Sequence, residues 1–120
     1  MASADLDAAE VLARIGNHYA AYHVQQAVEK LLKGLLLHRG LEAGIEHRLE
    51  FLSDRLPTDD VWPERVAGLL DYSTFATAFR YPTPGGRIPI EPPSTQVLRD
   101  VAAMRGLLQQ ARDEVAEGRA

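Results

Sequence analysis

His23, Gln26, Lys30 and Lys33 recur at spacings of three and four in HVQQAVEKLLKGLL, residues 23–36. At about 100° per residue they share a sector of roughly 80° with Tyr19 and Leu37, and Glu29 borders it. Two ammonium groups on one helical face can hold a phosphate as point charges, with an imidazole and an amide adding hydrogen bonds. A second group is Arg80-Tyr81-Pro82, followed by Arg87 across a Pro/Gly-rich stretch. Its two guanidinium groups can flank an anion, and Tyr81 can stack on a base. Each group also has a plainer reading. The row on the helix is then the solvated back of an amphipathic segment. Arg80 then meets the negative end of a helix dipole while Tyr-Pro ends the helix. Spacing alone leaves both readings open.

Other chemistries are poorly provided for. There is no cysteine, which excludes disulfides, thiol catalysis and Cys-ligated metal or iron–sulfur sites. His18 and His23 are five apart, a poor helical metal pair, and no HExxH occurs, so neither a metal site nor a cofactor is expected. PTPGGR lacks the phosphate-binding GxxxxGK[ST] pattern and follows no strand. Asp59-Asp60, close to Pro63, reads as a helix cap, and Trp62 as a core or interface anchor.

The elements that must position these residues are helical. Helices are expected over about 3–15, 18–39, 46–55, 63–80 and 94–117. Ser3 and Ser94 serve as caps, Gly16 and Gly40 as stops, Pro57 ends the third helix, and Pro63 suits a first turn. Asp5 and Asp7 suit the positive end of the first helix. In the second helix Ala20, Val24, Ala27, Val28, Leu31, Leu32, Leu35 and Leu36 fill half the circumference and predict its core face. YPTPGGRIPIEPP carries five of the seven prolines and predicts a long loop over 82–93. No alternation of period two is sustained. The expected fold is all-α, an antiparallel up-and-down bundle of four to five helices in one domain, 1–120.

The bulk numbers agree. A chain of 120 residues with 46% hydrophobic and 25% charged content suits one globular domain with a real core. A net charge of −4 argues against a broad basic nucleic-acid footprint, though not against a local patch. No apolar run approaches the ~18 residues of a membrane span. The acidic start MASADLDAAE does not read as a secretory signal, and a cytoplasmic setting is expected.

AAYHVQQAVEKLLKGLLLHRG resembles the signature helix of the HEPN domain family, with Ala20, His23, Gln26, Ala27, Glu29, Lys30, Leu32 and Lys33 matching in order. IEHRLEFL resembles the His-Asp-Leu start of the family's third helix through His47 and Leu49, with Arg48 replacing the usual acid. FATAFRYPTP resembles the Ala-Arg-Tyr-Pro end of its fourth helix through Arg80, Tyr81 and Pro82. The likeness covers nearly the whole chain. It implies an HEPN-like helical bundle, usually dimeric.

Many HEPN proteins are metal-independent ribonucleases whose Arg-x4-6-His pair meets at a dimer cleft. The Arg faces the phosphate, and the His moves the proton. Arg80 matches the Arg, but the positions for the His hold Gly85, Gly86 and Arg87. Arg14 and His18 are too close for the motif, and Arg39 and His47 too far apart. The standard nuclease is therefore not expected. The resemblance implies instead a protein that binds nucleotide or RNA and partners a minimal nucleotidyltransferase in a toxin–antitoxin-like system. His23, Gln26, Lys30, Lys33, Arg80, Tyr81 and Arg87 are its candidate contacts. Two alternatives remain: a ribonuclease toxin using Arg80 with His23 or Arg87, and a helical adaptor without a ligand.

Overall fold

Two glycines end the first two helices. The computed structural model describes residues 2–17, 19–75 and 92–117. Helix α1 spans Ala2–Arg14 and helix α2 spans Tyr19–His38. Gly16 and Gly40 follow them with φ of 70° and 72°, a conformation open to glycine at little cost. The amides beyond each helix then turn back onto its last carbonyls. Gly16 and Asn17 donate to Ala13 and Leu12 at 3.1 and 2.8 Å, and Gly40 and Leu41 donate to Leu37 and Leu36 at 2.9 and 2.8 Å. Both ends are Schellman caps.

Helix α3 is shorter than the expected 46–55, spanning Leu49–Asp54. Glu46 does not begin the helix. Its carboxylate instead accepts the backbone N–H groups of His47 and Arg48 and pairs with the Arg48 side chain, which holds the chain extended up to Leu49. The first amide of α3, at Leu49, donates to the Ser73 hydroxyl at 2.9 Å.

The expected helix over 63–80 also takes a different form. Helix α4 covers only Trp62–Val66, and the chain continues as a 3-10 helix over Ala67–Phe75. The side chains explain the tightening. Val66, Leu69 and Tyr72 are buried at a strict spacing of three, which a 3-10 helix stacks on one side. Residues 76–80 of that expected helix, and most of the 82–93 loop, lie outside the described residues. Helix α5 spans Ser94–Ala116, with Pro93 rather than Ser94 in the cap position. Likewise Ser3 lies inside α1.

Contacts at the helix ends fix the topology. Gly16–Asn17 turns α1 back onto α2, so these two run antiparallel. The α4–3-10 leg starts at Trp62, beside Arg39 at the end of α2, and reaches Tyr72, whose hydroxyl donates to Asp100 of α5 at 2.5 Å. Helix α5 then runs alongside α2 in the same direction, with Glu114 paired to Arg39 near its end. Among the described residues the protein is an all-α up-and-down bundle in which α3, α4 and the 3-10 helix form the third leg. Burial pushes the Tyr72 hydroxyl well above its ordinary range, and the Asp100 carboxylate adds to the shift. Tyr72 therefore serves as a neutral donor.

Leu6, Val24, Val28, Leu32, Leu36, Leu52, Trp62 and Met104 are among the fully buried core side chains. All eight residues expected on the core face of α2 are buried. Trp62 is a core residue; the cap position of α4 is Val61 rather than Asp59 or Asp60, although Asp60 accepts the Trp62 backbone N–H at 3.0 Å. No helix among the described residues is long and apolar enough to cross a membrane.

Candidate functional site

The row on α2 is a coherent face, to which α1 supplies one carboxylate and the α2–α3 connection a ring. Two acids organise it. Asp5 of α1 receives Lys30 Nζ at 2.5 Å and lies 3.2 Å from His23 Nδ1. Glu29 receives Lys33 Nζ at 3.1 Å, lies 3.0 Å from His47 Nδ1, and accepts the Gln25 amide at 2.9 Å. Gln26 donates to the Gln25 carbonyl oxygen at 2.7 Å, which joins the row to the second cluster. His23 also stands edge-on to Tyr22, with ring centres 5.3 Å apart.

The electrostatics follow from this pairing. The hydrogen bond to Asp5 raises the Lys30 ammonium above its usual value against a smaller opposing effect of burial. Burial pushes the Glu29 carboxyl up, but the hydrogen bonds from Gln25, His47 and Lys33 outweigh it and hold the group below its usual 4.5. Both lysines of the stripe are thus committed to carboxylates within the chain.

Gln25 is absent from the sequence-level candidates, yet it is 0% exposed and holds Glu29 in place. Its Nε2 also donates to the His47 carbonyl at 3.3 Å. The signal for it was available. On the same wheel Gln25 falls inside the apolar arc, and a polar residue there with an acid four positions on implies a buried hydrogen bond.

A second polar centre, also unmarked in the sequence, joins α2, α4 and α5. Arg39 pairs with Asp60 through Nε and with both carboxylate oxygens of Glu114 at 3.2 Å. Trp62 Nε1 donates to Glu114 at 3.0 Å. The Arg39, Asp60 and Glu114 side chains are 7%, 5% and 13% exposed and line a cleft of about 420 Å³, so the cluster is part-buried. Burial raises the Glu114 carboxyl, but the Trp62 and Arg39 hydrogen bonds leave it below its usual value.

Of the expected contacts, His23, Gln26, Lys30 and Lys33 share the described α2 face. Arg80, Tyr81 and Arg87 lie outside the described residues. Among the described residues no group of three or more His, Asp or Glu side chains gathers in a way that could hold a metal ion.

Three comparisons bear on this arrangement. A family model described as HEPN domain matches residues 1–113. No curated protein and no solved structure matches the chain.

Proposed function

The chain belongs to the HEPN domain family, and from that membership we propose that it is a non-nucleolytic HEPN subunit. In this reading it partners a minimal nucleotidyltransferase in a toxin–antitoxin-like pair in the cytoplasm and contacts nucleotide or RNA. One observation carries the reading: no Arg in the chain has a His at the Arg-x4-6-His spacing. A binding subunit tolerates that loss, and the standard nuclease does not. The pairing on α2 narrows the contacts. Lys30 and Lys33 serve Asp5 and Glu29 first, so the charge for a phosphate falls to Arg80 and Arg87. Tyr81 offers a stacking ring, and His23 and Gln26 offer hydrogen bonds. A homodimer belongs to the same reading. Val11 of α1 and Ile15, just beyond its end, stand exposed four residues apart, an apolar pair that a second copy can cover.

Fluorescence anisotropy with a labelled single-stranded RNA in EDTA tests the binding half. Saturable binding is expected, about tenfold weaker in Arg80→Ala and steeply weakened by salt. Binding that is absent, or equal in the variant, removes RNA from the proposal.

A second reading has one observation in its favour. Asp5 fixes the Nδ1 side of His23, leaving Nε2 without a hydrogen-bond partner among the described residues. That is how a carboxylate orients a general base. With Arg80 such a histidine would make an atypical metal-independent ribonuclease.

A further inference from the structure

Beyond Lys30, at one edge of the polar row, a groove of about 570 Å³ opens between α2 and α5 near the start of α1. Leu31 and Leu35 of α2 and Leu108 and Val115 of α5 line it. Its volume falls within the range of small-molecule sites, which are mostly apolar with a few polar groups. Along α5 it runs from Leu108 to Ala116, roughly 12 Å at the helical rise and about the length of an extended ten-carbon chain.

Two features point to an occupant. Gly34 lines the groove from inside α2, although glycine is among the least favourable residues in a helix interior. Packing among the described residues does not require it there, because none of their atoms lies within 4 Å of where its Cβ would be. Gly106 also faces open space, but it lies outside the groove. The missing side chain keeps the groove open. The second feature is charge. Lys30 and Arg112 both line the groove. Lys30 is held by Asp5, whereas Arg112 has no ion-pair or hydrogen-bond partner among the described residues. An apolar channel with one uncommitted guanidinium suits a hydrocarbon chain ending in an anion.

We propose that the α2–α5 groove binds a medium-chain fatty carboxylate, with the chain along Gly34 and the carboxylate on Arg112. Titration of the protein with decanoate below its micelle-forming concentration, followed by amide NMR and calorimetry, tests this. Saturable one-to-one binding is expected, with shifts at Gly34 and Ala111. Hexanoate should bind at least about tenfold more weakly, since each lost methylene removes apolar burial. Arg112→Glu should weaken decanoate about fivefold, the scale of one exposed charge contact. Gly34→Leu should abolish binding while remaining folded by circular dichroism, because the new side chain enters open space. Ala116→Leu fills the groove from α5 and should act likewise. Decan-1-amine binding as tightly as decanoate would overturn the proposal. So would unchanged binding in the folded Gly34→Leu variant. If decanoate fails to bind while Gly34→Leu changes the oligomeric state, the groove is an interface between copies and the proposal is equally overturned.

Discussion

Arg39→Met is expected to lose about 1–3 kcal/mol of stability, the cost of leaving two part-buried acids without their cation. Asp60 and Glu114 would then face each other along a cleft that still admits water, with their side chains only 5% and 13% exposed. A domain of this size has only about 5–15 kcal/mol in total, so the change removes a large fraction of it. The melting midpoint should fall by roughly 5–15 °C. Combining Arg39→Met with Asp60→Asn and Glu114→Gln should recover much of the loss, because the penalty lies in unpaired charge rather than in the missing Arg. Urea unfolding followed by fluorescence reads this directly. Trp62 is the sole tryptophan, and its indole N–H sits on Glu114. A loss below about 1 kcal/mol, typical of an exposed pair, would contradict the buried cluster.

The second large effect concerns pH. Glu29 and Glu114 are both held below the usual carboxylate value of 4.5 in the folded protein. The unfolded chain therefore takes up these protons first as pH falls. The stabilisation is present above 4.5 and is lost as pH drops through the folded values. Glu29→Gln should cost about 1–3 kcal/mol at pH 7, since Lys33 and His47 lose their charged acceptor. Once Glu29 is itself protonated, acid and amide become nearly equivalent. The stability gap between wild type and variant should thus narrow steadily below pH 4.5. Unfolding midpoints at pH 7 and at about pH 3 decide it, and a gap of constant size would show that Glu29 is not held as described.

These two clusters mark where sequence reading stops. The core arc of α2 was legible because eight apolar residues repeat with the helical period over 20 residues. Gly16 and Gly40 were legible as stops because a left-handed cap favours glycine. The switch to a 3-10 helix after Val66 was not. Over nine residues a period of three and a period of 3.6 differ too little, and Val66, Leu69 and Tyr72 suit either until packing decides. The start of α3 depended on Glu46 folding its carboxylate back onto the backbone, a local competition that propensity does not resolve.

The candidate row shows the same limit. Its residues were identified from spacing, and so was their common face. The partner of Lys30 was not, because Asp5 lies 25 positions away, whereas Glu29 stands only four from Lys33. A lysine stripe looks alike in one sequence whether it awaits a phosphate or already holds an acid. Only the packing of α1 against α2 distinguishes the two.

The proposed non-nucleolytic role is tested on RNA itself. The most direct measurement is incubation of the purified, folded protein with labelled RNA in EDTA, comparing wild type with Arg80→Ala and His23→Ala on a denaturing gel. Intact RNA is expected with all three proteins. Cleavage by the wild type that disappears in both variants would contradict that role and establish Arg80 and His23 as an atypical ribonuclease pair.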